Sequence, residues 1–309
     1  MEPISSHPLY KAHTIDSAMN SLWEFYTKKF ITLFLVSFVM GLILQYLSSM
    51  IRIDFSNYKT FNIDEMMLKL REYLWPMLIV SLTSLLFTTI LHCYVVFNPL
   101  DKKNNILRCI VKSLRYFIPY LMIMIMLAFV GSFALFLGLL VVVIGALFAG
   151  IYIMTLYLFI LPIMMVEGPN IAKTISRTIK LAHRDFWSNI GWTAVFVIII
   201  LVITMILSGL ILLPFTGSFF SAVKNPEEAT AVMDMTSKPL YIILSAMLNG
   251  LTLPLLPIFA CILYFNGRAR EDQQFFNEPE EDEYTGKVRV EDLYAKPLPE
   301  NDAEKPENN

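Results

Sequence analysis

Long apolar runs alternate with short charged segments along most of this chain, and this pattern predicts six membrane-spanning helices. A helix of about 20 residues is long enough to cross the hydrocarbon core of a bilayer. Residues 116–166 contain no Asp, Glu, Lys or Arg, so this stretch crosses twice. We place the turn between these two crossings near residues 138–145, where glycine permits a tight connection. The predicted spans are residues 30–51, 74–97, 117–139, 142–166, 190–214 and 240–265.

A strongly two-faced helix is predicted between the fourth and fifth spans. At 100° per residue one side of this helix is apolar and the opposite side is cationic, which is typical of a helix lying along a membrane surface. The apolar positions are Ile171, Ile175, Ile179, Ala182 and Phe186, and the cationic ones are Lys173, Arg177, Lys180 and Arg184.

The same pattern occurs more than once. Residues 105–115 match residues 170–180 at an offset of 65, with apolar and basic positions coinciding, and a weaker copy begins at Ile15. We therefore predict an all-α integral membrane protein of three hairpins, each preceded by a cytoplasmic amphipathic helix. Most of the prolines in the predicted spans lie near span ends, where proline sets a kink or a boundary.

Charge supports this organisation and orients it. The chain is 56% hydrophobic and 16% charged, a composition outside the range of soluble domains. Lys and Arg number 14 on one side of the predicted spans and 6 on the other, which places both termini in the cytoplasm. Residues 1–29 form a cytoplasmic N-terminal segment and residues 30–266 the membrane domain. Residues 267–309 carry a net charge of −7 and are predicted to be a disordered tail.

The sequence predicts no catalytic, cofactor-binding or metal-ligating residues. Polar groups are sparse in the spans, and we assign His92, Gln45 and Asn249 to helix packing. The cysteines Cys93, Cys109 and Cys261 show neither a disulfide framework nor a metal-binding spacing. We therefore expect neither an enzyme nor a nucleic-acid-binding protein.

The basic faces are the remaining candidate binding surface. Their plain role is to orient and anchor the chain at the interface. Lys and Arg beside a membrane also attract anionic headgroups at about 1 kcal/mol each, so the alternative is a specific phospholipid site or a surface for an acidic partner. This surface comprises Arg108, Lys112, Arg115, Lys173, Arg177, Lys180 and Arg184. In the tail, the apolar residues Val288, Val290, Leu293 and Tyr294 are the candidates for docking a cytoplasmic protein.

Two stretches of the chain, LPIMMVEGPNIAKTISRTIKLAHRDFW and PIFACILYFNGRARED, combine an apolar span end with Glu-Gly and an arginine-containing helix, and a Tyr-aromatic pair with Arg-x-Arg-acid. They resemble the six-span membrane domain associated with bacterial glycerophosphoryl diester phosphodiesterases and its stand-alone relatives. In the first stretch Glu167, Gly168 and Arg177 fit the family pattern, with Thr178 where the family tends to have serine. In the second, Asn266 and Gly267 depart from the pattern. The resemblance implies residence in a bacterial inner membrane. It implies no phosphodiesterase activity, because the His-Arg-Gly motif and acidic metal ligands of the catalytic domain are missing from the sequence.

Together these features favour a non-enzymatic inner-membrane scaffold or accessory subunit that recruits a cytoplasmic partner. The alternative is a transporter or lipid-handling protein. A polar-lined cavity around Asn249, Gln45 or His92 would favour the alternative, and a dry, packed interior would favour the scaffold.

Overall fold

The structure, a computed structural model, describes residues 3–51, 63–101, 103–141, 143–217 and 236–277. The chain divides into two compact units, Met1–Arg270 and Glu271–Asn309. Throughout the described ranges the regular elements are helical, with 3₁₀ turns at Ile4–Ser6 and Leu213–Phe215. The α-helices are α1 (Ile15–Lys28), α2 (Phe30–Ser49), α3 (Ile63–Phe97), α4 (Ile106–Leu140), α5 (Val143–Glu167), α6 (Ile171–Arg184), α7 (Phe186–Leu212), α8 (Pro239–Thr252) and α9 (Leu255–Asn277).

Six helical stretches are long and apolar enough to cross a membrane, and each corresponds to one predicted span. Many of their apolar side chains face outward, as Phe129 and Ile144 do. Lipid tails are as apolar as these side chains, so such exposure carries no penalty in a bilayer. The chain thus has the helices of a multi-pass membrane protein. The stretches are Phe30–Ser49, Arg71–Phe97, Ile106–Leu140, Val143–Glu167, Phe186–Phe215 and Pro239–Gln273.

Within the region predicted for the turn between the third and fourth spans, α4 ends at Leu140 and α5 begins at Val143. Its glycines have a different role from the one expected. A Cβ atom built on Gly138 would lie 2.7 Å from the carbonyl oxygen of Gly145. Among the described glycines, a positive φ occurs at Gly168 and not at these two. They are needed for the close approach of two helices and not for an unusual backbone conformation.

Glycines also bring the first and last spans together, through α2 and α8. A Cβ atom on Gly41 would lie 3.2 Å from the carbonyl oxygen of Ala246, and one on Gly250 would lie 3.0 Å from the Phe34 ring. Small residues at such a crossing allow the backbones of membrane helices to pack closely. The packing of α2 on α8 therefore brings the first span against the first half of the sixth.

The sixth span is interrupted near its middle. Helix α8 ends at Thr252 and α9 begins at Leu255, because Pro254 has no N–H with which to continue the helix. The Tyr26 hydroxyl on α1 donates to the Leu251 carbonyl at 3.0 Å, which satisfies a carbonyl beside the interruption. Pro254 thus departs from the expectation for span prolines: apolar helix continues on both sides of it, so it divides a crossing and does not end one.

The helices predicted ahead of the first and fifth spans are separate elements. Helices α1 and α6 each end at a single non-helical residue, Lys29 (φ −113°, ψ 13°) and Asp185 (φ −117°, ψ 53°), before the span begins. The separate surface helix predicted ahead of the third span is wrong. Residues 106–116 are the first turns of α4, since no residue there caps or interrupts the backbone ladder.

Helices α1, α4 and α6 nevertheless bury the same positions. When their N-cap residues, Thr14, Asn105 and Asn170, are aligned, the residues four, eight and eleven positions later are buried in all three helices. Many of the predicted apolar positions, including Ile110 and Ile179, remain exposed. The face by which these three helices pack against the protein is therefore adjacent to the predicted apolar face and does not coincide with it. Its residues are Ala18, Leu22 and Phe25, then Cys109, Ser113 and Tyr116, then Thr174, Thr178 and Leu181.

Candidate functional site: an ion-pair network around Glu167

Glu167, the last residue of α5, is held by side chains from two other helices. Arg177 Nε donates to Glu167 Oε1 at 3.0 Å, and the Tyr264 hydroxyl donates to the same oxygen at 3.1 Å. Arg268 Nη1 lies 3.7 Å from Oε1, and Lys173 Nζ lies 4.0 Å from Oε2. The Glu167 side chain is only 10% exposed. These five residues are called the Glu167 cluster below.

The turn between α5 and α6 places Arg177 over Glu167. Gly168, with φ of 106°, adopts a conformation that favours glycine and carries the chain out of α5. The Asn170 side chain then accepts a hydrogen bond from the Lys173 N–H at 3.0 Å and caps α6. Two turns into α6, Arg177 returns to the end of α5. The end of α5 and the first two turns of α6 therefore form a compact corner, and the ion pair between Arg177 and Glu167 closes it.

A second set of contacts joins α6, α9 and the N-terminal segment. Arg184 Nη2 donates to the Gly267 carbonyl at 2.6 Å. Arg270 Nη2 donates to the His13 carbonyl at 3.1 Å, and Arg270 Nη1 lies 3.6 Å from Asp185. The backbone N–H of His13 donates to Asn266 Oδ1 at 2.8 Å. One end of the helix bundle is thus cross-linked by charged and polar contacts.

Residues 3–14, called the N-terminal strap below, cross this end of the molecule. His7 is buried, accepts from the Leu9 N–H through Nδ1 and contacts the Val95 carbonyl through Nε2, each at 3.1 Å. With Nδ1 as acceptor, Nε2 carries the proton and donates to Val95. The ring also packs against Phe265 at 4.6 Å between centroids. Burial lowers the pKa of His7 from 6.5 to about 4, so the strap is held by a neutral imidazole.

Besides Lys173, which is 4.0 Å from Glu167, three of the seven predicted basic residues contact the protein itself. Arg177 binds Glu167, and Arg184 binds the Gly267 carbonyl. Lys112 Nζ lies 3.1 Å from the centre of the Phe97 ring at the end of α3, in cation–π geometry. These cations therefore hold helices together. The four that are exposed are Arg108, Arg115, Lys173 and Lys180.

The predicted tail residues cannot be placed in this way. Val288, Val290, Leu293 and Tyr294 lie outside the described residues, which end at residue 277. The helix α9 does extend to Asn277, so the first part of the segment predicted as disordered tail, residues 267–277, is helical.

The intramembrane polar residues His92, Gln45 and Asn249 line none of the three cavities described in the structure. His92 Nδ1 contacts the Thr88 carbonyl of its own helix at 2.9 Å. The Cβ of Asn249 packs where a side chain at Gly41 would be. Groups of three or more His, Cys, Asp or Glu that could hold a metal ion do not occur within the described ranges.

An apolar groove of about 790 Å³ lies among α5, α7 and the interruption in the sixth span. Thr252, Leu253 and Leu256 border it where α8 gives way to α9. Its remaining wall is mostly aliphatic and aromatic, with Thr204 and Ser208 as the hydroxyl-bearing residues of α7. Such a groove suits a hydrocarbon chain and not a polar solute.

Sequence reasoning missed the partners of Glu167. Helix periodicity put Arg177 on an outward cationic face, but a lone carboxylate at a span end, ten residues before an arginine, was the available signal that this cation has an internal partner. Tyr264 and Arg268 carried no such signal. Their contact with Glu167 depends on how α9 packs against α5, which local patterns do not specify.

Comparisons with protein-family models, with curated proteins and with solved structures found no match to this chain.

Proposed function

We propose that this chain is a non-enzymatic inner-membrane scaffold or accessory subunit that recruits a cytoplasmic protein. The observation that carries the proposal is the Glu167 cluster, which joins the ends of α5, α6 and α9 through a largely buried carboxylate. A docking platform needs its parts in fixed relative positions. A transporter that alternates between two states must move one bundle against another, and such a network opposes that motion.

In this proposal the membrane domain consists of three units, each an amphipathic helix followed by two spans. The shared buried positions of α1, α4 and α6 support the internal repeat, although only two of the three helices are separate from their span. The distribution of Lys and Arg supports a cytoplasmic location for both termini and for the Glu167 cluster. The exposed cations Arg108, Arg115, Lys173 and Lys180 then contact anionic headgroups.

The resemblance to the membrane domain of the phosphodiesterase-associated family supports a bacterial inner membrane as the location. Glu167, Gly168 and Arg177 are among the residues that carry the resemblance. In this structure they form the turn and ion pair that close the α5–α6 corner, a structural role that needs no reaction.

Recruitment through the tail is tested by deleting residues 278–309, which leaves α9 complete to Asn277. The truncated chain should still insert into the membrane but should lose its specific partner in affinity purification. A subtler variant replaces Val288, Val290, Leu293 and Tyr294 with serine and should lose the same partner. The matched control replaces the acidic residues Glu280, Glu281, Asp282 and Glu283 with glutamine and should keep it. An identical set of co-purified proteins from all four chains would refute the proposal.

A second function, lipid handling, is favoured by the apolar groove beside the interrupted sixth span. Thr204 of α7 lines this groove, so Thr204→Phe would fill it with a ring. We expect the variant to co-purify with less tightly bound lipid than the original chain, measured by mass spectrometry after detergent extraction. The control is Ile198→Phe, on the outward side of α7 and 60% exposed. Equal lipid content in both variants would remove this candidate.

A further inference from the structure

A cavity of about 230 Å³ lies between the N-terminal strap and α1. Leu9 and Phe25 contribute buried apolar walls. The strap is fixed in place by His7 and His13, which are bonded to α3 and α9. The cavity is therefore bounded by residues that the fold holds in position. Its lining is Pro8, Leu9, Lys11, Ser21, Glu24, Phe25, Lys28, Lys29 and Pro99.

Positive charge dominates this cavity. Lys11, Lys28 and Lys29 surround it, against the single carboxylate of Glu24. Lys29 Nζ donates to the neutral Asn98 Oδ1 at 3.1 Å. In the described part of the chain, none of the three lysines has a carboxylate within ion-pair distance. Positive charges held close together beside an apolar wall repel one another, and a bound anion relieves this repulsion.

The alignment of the N-caps explains why the cavity exists. In α6, the residue three positions before the N-cap is Glu167, and the residue seven positions after it is Arg177. The equivalents in α1 are Lys11 and Ser21, and both line the cavity. Where α6 has a carboxylate paired with an arginine at 3.0 Å, α1 has a cation and a short hydroxyl side chain. The first unit therefore lacks the internal anion and the long side chain that fill this place in the third.

The cavity also lies where a span starts. Lys28 ends α1, Lys29 is the non-helical residue, and Phe30 begins the first apolar stretch. Residues at this position of a spanning helix stand at the boundary between hydrocarbon and headgroups. The phosphate groups of membrane lipids occupy the same level.

From these observations we propose that the Lys11–Lys28–Lys29 cavity binds a phosphate group carrying net negative charge, supplied by the headgroup of an anionic phospholipid. The phosphate takes the place that the Glu167 carboxylate takes in the third unit. Phosphatidylcholine is disfavoured because its own ammonium group would face the three lysines. A soluble phosphate ester shares the recognised chemistry and is distinguished by the experiment.

The test uses the full chain in detergent and native mass spectrometry. The double variant Lys11→Glu, Ser21→Arg recreates the carboxylate–arginine pair of the third unit and fills the cavity. We expect the original chain to retain phosphatidylglycerol over phosphatidylcholine, and the double variant to lose this preference by about tenfold. A second variant, Lys11→Gln, Lys28→Gln, removes two of the three positive charges without filling the cavity and should lose the preference in the same direction. Monodisperse elution and an unchanged unfolding temperature establish that each variant is folded.

The matched control is Lys238→Glu, which reverses an exposed charge just before α8 and should leave the preference intact. Addition of glycerol 3-phosphate or inorganic phosphate identifies the source. If these compete and phosphatidylglycerol shows no preference, the phosphate site stands but its ligand is soluble. If both folded cavity variants retain phosphatidylglycerol as the original chain does, or if the original chain binds none of these probes, the proposal is wrong.

Discussion

At the scale of single residues, Glu167 has the largest predicted effect on stability. Glu167→Gln keeps the side-chain shape but removes the charge that Arg177 and Arg268 face. Loss of one partner from a buried pair costs about 3–5 kcal/mol. Because Glu167 keeps 10% exposure, we expect a loss of about 2–4 kcal/mol in the free energy of unfolding, measured by thermal or denaturant unfolding in detergent.

The comparison variant for this prediction is Lys173→Gln. Lys173 stands 4.0 Å from the same carboxylate but its side chain is 61% exposed, so its contribution is screened by solvent. We expect a change within about 0.5 kcal/mol. Equal losses from the two variants would mean that burial of the Glu167 cluster does not stabilise this end of the bundle.

His7 gives the strap a predicted pH dependence. Its pKa is lowered to about 4 in the folded chain by burial, so between pH 6.5 and 4 the unfolded strap binds more protons than the folded one. The stability that neutral His7 contributes is present above pH 6.5 and is lost as pH falls towards 4. Protonation at Nδ1 would also break the hydrogen bond from the Leu9 N–H, because that nitrogen could no longer accept it.

This loss is measurable as faster amide hydrogen exchange of residues 3–14 at pH 5 than at pH 7, after correction for intrinsic rates. His7→Gln should show a flatter dependence because the titrating group is gone. A residual slope is expected from His13, whose pKa is also lowered, chiefly by burial. Exchange that accelerates to the same extent in both chains would exclude His7 as the cause.

At the scale of helices, the crossing of α2 and α8 provides a sharp mutational test. A Cβ atom on Gly41 would approach the backbone oxygen of Ala246 to 3.2 Å and the Cβ of Asn249 to 3.0 Å. Backbone cannot yield as a flexible side chain can, so Gly41→Ala should separate the helices and cost about 1–3 kcal/mol of unfolding free energy. Gly209→Ala is the control, because nothing lies within 4 Å of its Cβ position. A loss no larger for Gly41 than for Gly209 would contradict the close crossing.

Helix boundaries show how far local sequence specifies this fold. Apolar run length was enough to place all six spans, because the bilayer fixes the length of a crossing. The break at Asp185 was approximated by the end of a cationic pattern, whereas residues 106–116 carried the same pattern and continued into α4. The two segments differ because a non-helical residue, Asp185, follows α6, whereas the helix continues without a break in α4. The spacing of apolar and basic residues is the same in both segments and does not reveal this difference. The interruption at Pro254 was likewise underestimated, since a proline alone does not show whether the flanking helices remain in one crossing.

At the scale of the whole molecule, the candidate site was only partly predictable. The cationic residues of α6 were identified from sequence, but three of them, Lys173, Arg177 and Arg184, contact other helices. These contacts join residues separated by as many as 83 positions, and they depend on the packing of α9 against α5 and α6. A helical wheel describes one helix at a time, so it predicts a face and leaves the partner of that face open.

The proposed scaffold requires the Glu167 cluster and the strap to lie in the cytoplasm, and cysteine labelling in intact cells tests this most directly. Cys93, Cys109 and Cys261 are buried and can be replaced, after which single cysteines are introduced at Lys11, Lys180 and Thr216, all exposed. We predict that a membrane-impermeant maleimide labels Thr216→Cys in intact cells, and labels Lys11→Cys and Lys180→Cys only after permeabilisation. Labelling of Lys11→Cys or Lys180→Cys in intact cells would contradict the proposed scaffold.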